Sequence, residues 1–230
     1  MTDTDLRIAR LDARRALQRA GALNFKPVSS AKWVDIKRSW TGKLHVQIEH
    51  DTVKGCTPSM LRWWFDNLGR STTWDGVGFD GPPISFYHLW HHRDHVSIVP
   101  ISGSTSGFAA GGSTRITEQF NDCHENINIV AITERLNDRE FTFVTKRFGL
   151  TVCRIFHLYS PEDDGSRFYG ETVVGLDLPV LGWLLNWLVV PFFYSKSTAE
   201  NWIRHNIEES GRSKCVIPSL YRHYQVNNSN

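Results

Sequence analysis

Leu44, Val46 and Ile48 alternate with His45, Gln47 and Glu49, a period of two that predicts a half-buried strand over 43–53. Upstream the period changes: Leu6, Ala9, Ala13, Leu17 and Ala20 recur at helical spacing and predict an amphipathic helix. Thr57-Pro58 is a cap followed by a first-turn proline, and Met60, Leu61, Trp64 and Leu68 fall on one side of the short helix it opens. Glycine, proline and hydroxyl residues gather at 70–83 and 98–113, which predicts loops. Five further strand patterns follow at 114–120, 126–136, 140–148, 150–159 and 167–174. Turn signals such as Asn137-Asp138 and Glu162-Asp163-Asp164-Gly165 separate them, as in an antiparallel meander.

The segment 178–194 is strongly apolar but interrupted by Pro179, Gly182, Asn186 and Pro191, and it barely reaches the length needed to cross a bilayer. It predicts a buried or pocket-lining helix, with a lip resting on a membrane surface as the other reading. After it, Ser197 and Glu200 have capping-box spacing and Gly211 supplies a stop, so a helix is predicted between them. Strands followed by helices imply an α+β domain whose curved sheet wraps the C-terminal helix and leaves a cavity between them. Aromatic residues to line it are plentiful, among them Trp63, Trp64, Phe65, Trp90, Trp187 and Trp202. The expected division is an N-terminal helical extension over 1–42, the main domain over 43–224 and a loose tail over 225–230.

Composition narrows the partners. The net charge is +2 over 230 residues with acids and bases interspersed, so neither nucleic acid nor anionic lipid is indicated as the main partner. The four cysteines are scattered, without CxxC spacing, which fits reduced thiols and a cytoplasmic location. No apolar leader opens the chain. The expected partner is a small hydrophobic aromatic or polyketide, with no membrane span; homodimer formation is left open.

His205 and Glu209 stand at i and i+4, so a helix presents both on one face, where imidazole and carboxylate together suit zinc or a neighbouring transition ion; a surface polar pair is the plainer alternative. A second cluster, Tyr87-His88-Leu89-Trp90-His91-His92-Arg93-Asp94-His95, places four histidines in nine residues.

These clusters, together with Leu61-Arg62-Trp63-Trp64-Phe65 before them and Ile217-Pro218-Ser219-Leu220-Tyr221 after them, resemble in order the diacetylphloroglucinol hydrolase and phloretin hydrolase family. The resemblance runs over most of the chain and departs from the family at His92, where relatives often carry proline. It implies a Bet v 1-like helix-grip fold and a zinc ion held by two histidines and two glutamates. The implied activity is hydrolysis of the carbon–carbon bond between an acyl group and a polyhydroxylated ring. Position by position, it makes His95, His205 and Glu209 zinc ligands, with Glu118 the choice for the fourth and Glu125 the competitor. Tyr87 takes the place of a substrate-binding tyrosine. His91 and Asp94 are expected to orient His95 or carry a proton, while His88, His92 and His124 are assigned to structure or surface. The alternatives are a polyketide cyclase, dehydratase or pericyclase using the same cavity without hydrolysis, and a non-catalytic carrier of hydrophobic aromatics.

Overall fold

The computed structural model describes residues 2–227. In chain order the elements are α1 (Asp3–Arg19), β1 (Trp33–Arg38), β2 (Leu44–Glu49), β3 (Val53–Lys54), α2 (Pro58–Asn67), β4 (Ser71–Thr72), β5 (Ile84–Ser85) and α3 (Phe86–Trp90). They continue with β6 (His95–Ser102), β7 (Ser113–Phe120), β8 (Glu125–Leu136), β9 (Glu140–Arg147), β10 (Leu150–Glu162), β11 (Gly165–Val174), α4 (Leu181–Phe193) and α5 (Lys196–Asn227).

One antiparallel sheet holds all the long strands in the order β1-β2-β11-β10-β9-β8-β7-β6, with β3 on β11; β4 and β5 form a separate ribbon. The meander from β6 to β11 follows from the short turns read in the sequence. The return of β2 to β11 carries the hairpin β1–β2 to the far edge. Alternation decides the faces: Leu44, Val46 and Ile48 are buried on β2. Long helix α5 packs on the inner face, with Ile203, Ile207, Val216, Ile217 and Leu220 all buried. This is the helix-grip arrangement, α+β, with α1 and α2 added against it.

Thr57 Oγ1 accepts the Met60 N–H and caps α2, whose Leu61, Trp64 and Phe65 enter the core. Trp64 lies flat against Phe86 at 5.2 Å, and Phe65 meets Phe141 at 4.4 Å, so α2 ties α3 to the sheet.

Several expectations are corrected. The strand β1 was not anticipated: it is an edge strand, mostly exposed, so its pattern carries little alternation. The hairpin β1–β2 turns through residues 39–43, so the sheet begins before residue 43. Residues 98–102, expected in a loop, complete β6. Helix α5 starts two residues earlier, with Ser195 Oγ accepting the Thr198 N–H in place of a Ser197–Glu200 box. Gly211 does not stop it. A Cβ there would stand 2.7 Å from Lys26 Cβ, so glycine at this position admits the N-terminal segment against the helix. Buried contacts of the following turns carry the helix through Pro218 to Asn227. Of the expected tail, 225–227 are therefore helical, and 228–230 lie outside the described residues.

Helix α4 lines the pocket, as expected, but is largely not buried. Only Gly182, Asn186 and Val190 are buried, a single stripe along one side. Asn186 holds the helix down: its side-chain amide donates to the Thr41 and Leu176 carbonyls and its oxygen accepts the Leu176 N–H. Leu185, Val189 and Phe193 line the pocket, while Leu184, Trp187, Leu188 and Phe192 are exposed outside it.

Candidate metal centre and cavity

Two strand residues and one helix turn bring the predicted ligands together. Ser85 Oγ caps α3 by accepting the Tyr87 N–H, and the chain then turns through 92–94 to enter β6 at His95. In the sheet register His95 lies directly opposite Glu118 of β7. Glu118 shares the cavity wall with Ile116 and Phe120, two residues away on either side. From α5, His205 and Glu209 project one turn apart into the same space, both buried.

His95 Nε2 lies 2.8 Å from Glu209 Oε1 and 3.8 Å from Glu118 Oε1. His205 Nε2 lies 3.3 Å and 4.0 Å from the same two oxygens. Atoms bound to one tetrahedral zinc at about 2.0–2.2 Å stand roughly 3.3–3.6 Å apart, a separation that these distances bracket. His95 Nε2 is buried against Glu209 Oε1, so it faces the cluster. Two neutral imidazoles and two carboxylates would cancel a divalent charge, which makes the donor set suitable for an ion inside an apolar cavity. His95, His205 and Glu209 lie close enough together to hold one metal ion, with Glu118 beside them.

Each imidazole is fixed from behind. His95 Nδ1 is 2.6 Å from the Tyr87 carbonyl, to which it can only donate, and this bond turns Nε2 toward the cluster. The Tyr87 ring stacks on His95 at 3.5 Å with 8° between planes. His205 Nδ1 is 3.1 Å from Asp94 Oδ2, a buried carboxylate–histidine pair. Asp94 was expected to act on its neighbour His95; the structure instead directs it across to α5, because the turn before β6 aims it at the helix. His91 Nε2 faces Glu208 Oε2 at 2.9 Å, and its Nδ1 accepts the Asp94 N–H. Both of its nitrogens are thus engaged, and neither His91 nor Asp94 lines the cavity. His91 packs against the turn that carries Asp94.

Electrostatics follow from this packing. Burial alone would lower the His205 pKa, but Glu209 and Asp94 outweigh it and raise it well above the ordinary imidazole value. Burial opposes ionisation of Glu209, yet His205 brings its pKa down to about 2. The carboxylates thus favour a positive charge at this point, whether a proton or a cation supplies it. Burial and the Glu118 charge push the Tyr87 hydroxyl well above its usual value, so it stays protonated and donates to Glu118 at 2.5 Å.

Glu125 is not part of the cluster; its Oε1 accepts from Asn201 Nδ2 at 2.9 Å. His92 lies 2.8 Å from Arg212 and stacks on Phe25, and His124 is exposed. His88 is buried, and burial lowers its pKa to about 4.

The cluster closes one end of a cavity of about 840 Å³ between sheet and α5. Phe65, Phe108, Phe141, Ile155 and Trp202 give it apolar walls, and Val189, Phe193 and Phe148 border it at α4 and the β9–β10 turn. A molecule held here is small and largely hydrophobic. Reading the sequence missed several polar groups on the wall, among them His157, Thr172 and Asn206. His157 Nδ1 and Thr172 Oγ1 have no partner among the described residues, and burial lowers the His157 pKa to about 4, so it is neutral at pH 7. The inward positions of β10 and β11 were the signal, once the registry of those strands was known.

No family model and no curated protein matches the sequence, so the hydrolase resemblance gains no support from either comparison. Solved structures match in shape. Protein Ms6760 from Mycobacterium smegmatis is 10% identical with TM-score 0.45, covering 82% of this chain and 99% of its own. The di-domain ARO/CYC BexL from the BE-7585A biosynthetic pathway is 11% identical with TM-score 0.44, covering 76% of this chain and 50% of that one. Ara h 8.0201 is 11% identical with TM-score 0.36, covering 72% and 97%. These likenesses are too distant to carry a function, and the fold stands on the strand order described above.

Proposed function

We propose that the protein is a zinc-dependent hydrolase that cleaves the carbon–carbon bond between an acyl group and a polyhydroxylated aromatic ring. The observation that supports it is the convergence of His95, His205, Glu209 and Glu118 at the polar end of an otherwise apolar cavity, with the Tyr87 hydroxyl on Glu118. Bound there, zinc would supply Lewis acidity toward an acyl carbonyl and a water of lowered pKa.

The residues of the chain do the remaining work. The apolar walls exclude bulk water and favour an aromatic ring over its hydrated state. Tyr87 retains its proton and can move its hydrogen bond from Glu118 to a substrate oxygen beside the cluster. His157 and Thr172 offer unpaired polar atoms to ring hydroxyls further up the wall. Overall, water adds to the acyl carbon, the bond to the ring breaks with its electron pair passing to the ring, and the ring carbon gains a proton. A polyhydroxylated ring can accept that pair because its keto tautomer is accessible. The products are a carboxylic acid and the deacylated ring.

A second reading, cyclisation or dehydration of a polyketide in the same cavity, accords with the aromatase/cyclase name of one similar structure. Incubation with acylphloroglucinols of graded acyl length, followed by mass spectrometry, separates the two. The hydrolase reading expects a free acid and a ring lighter by the acyl group. No turnover of any acylated ring, with isomerisation or water loss from a polyketide chain instead, would establish the second.

A further inference from the structure

The outward side of α4 is apolar without interruption. Phe192 is 87% exposed and Phe193 81%, with Leu184, Trp187 and Leu188 each more than half exposed beside them. Two other segments meet this helix. Trp40, in the β1–β2 turn, packs edge-on against Trp183 at 4.6 Å, and its carbonyl accepts from Trp187 Nε1. Phe148, at the tip of β9–β10, borders the cavity together with Val189 and Phe193 of α4.

Phe148 is the most telling of these. It has φ +51° and is followed by Gly149 at +79°, the left-handed pair of a tight hairpin turn where asparagine, aspartate or glycine are usual. The turn nonetheless holds out a phenyl ring that is fully exposed. With Phe192 and Phe193, three rings alone leave roughly 500 Å² of apolar surface in water, as much as the largest patch on a typical monomer.

Charge identifies what covers this surface. The three segments 36–48, 141–161 and 178–199 contain no aspartate or glutamate at all. They carry Lys37, Arg38, Lys43, Lys146, Arg147 and Arg154, with Lys196 just beyond α4. Among the described residues no carboxylate pairs with Arg38, Lys146 or Arg147, and the Arg38 guanidinium lies 5.5 Å over the Trp187 ring. The other four are paired with carboxylates just outside these segments, Lys37 with Asp35, Lys43 with Asp177, Arg154 with Glu134 and Lys196 with Glu200, so the uncompensated cations at this surface are Arg38, Lys146 and Arg147, a local excess that the net charge of +2 conceals. Exposed aromatic and leucine side chains beside basic ones match the interfacial layer of an anionic bilayer, where rings sit at headgroup depth and cations meet lipid phosphates. A second copy of the same surface would instead bring these cations together. Among the described residues no helix is long and apolar enough to cross a membrane, so such a contact is with one leaflet.

We infer that α4, Trp40 and Phe148 form a lip that docks on an anionic lipid surface, with the cavity mouth opening toward the bilayer. The surface is separate from the metal cluster and would serve any reaction performed there on a lipid-soluble substrate.

The full chain should sediment with phosphatidylcholine vesicles containing phosphatidylglycerol, with a blue shift of tryptophan emission, and much less with phosphatidylcholine alone. Leu188→Ser/Phe192→Ser, two exposed positions outside the cavity, should lower the bound fraction at least tenfold while leaving the urea midpoint in place. Lys146→Glu should weaken binding and its salt dependence. Failure of the parent to bind anionic vesicles, or equal binding by the Leu188→Ser/Phe192→Ser protein, would overturn the inference. So would a concentration-dependent dimer abolished by the same variant in a protein that ignores vesicles.

Discussion

Asp94→Asn probes the cluster without touching a ligand. Asp94 is completely buried, and its Oδ2 is 3.1 Å from His205 Nδ1. The carboxylate fixes the imidazole orientation and makes Nε2 a better electron donor; asparagine keeps the volume but removes the charge. Loss of such a partner typically weakens metal binding about 10- to 100-fold, or roughly 1.4–2.7 kcal/mol. Competition for zinc against a chromophoric chelator measures this directly, with urea unfolding of the metal-free protein as a control on the fold. A zinc affinity within roughly twofold of the parent would refute the role assigned to Asp94. Conversely, if His205 and Asp94 were only a structural ion pair, the substitution would lower the urea midpoint and leave zinc binding untouched.

Other consequences are as specific. Glu118→Gln should lower turnover of an acylated ring by more than tenfold, because Tyr87 loses its charged acceptor and the cluster a carboxylate; full activity with full zinc would count against the assignment. Ile207→Ala removes a fully buried side chain at the centre of α5 and should cost about 2–5 kcal/mol in urea unfolding, with a near-neutral result showing that α5 is not gripped as described. Thr57→Ala deletes the α2 cap and should cost about 1 kcal/mol. His50 is fully buried, and burial, with Lys26, lowers its pKa to about 3. The unfolded chain then binds a proton near pH 6.5 that the folded chain refuses. Stability is therefore full above that pH and falls as the pH is lowered toward about 3, by about 2 kcal/mol at pH 5. His50→Gln should flatten the dependence of unfolding free energy on pH over this range; an unchanged slope would show that His50 does not contribute.

The parts of the site visible in the sequence were those set by short-range periodicity. His205 and Glu209 needed only a helix, and Tyr87 to His95 declared itself by composition. The choice between Glu118 and Glu125 depended on which residue faces His95 across β6–β7, a register set by the bulge after His95 and by the turn at 121–124. Local spacing does not encode that register. The contact of Asp94 with His205 was not foreseen for the same reason: that residue is 111 positions away. Gly211 read as a stop because glycine favours helix ends, whereas here tertiary packing against Lys26 overrides the local preference. The apolar run at 178–194 identified a hydrophobic helix correctly, but hydropathy alone does not distinguish a side chain facing a core from one facing outward at a cavity mouth.

Elemental mass spectrometry of the untagged protein, alongside His205→Ala, tests the central claim most directly. About one zinc per chain in the parent, lost in the variant, is the predicted result. A parent that takes up no metal after incubation with zinc would contradict the hydrolase account and leave a cavity that binds or cyclises its ligand without it.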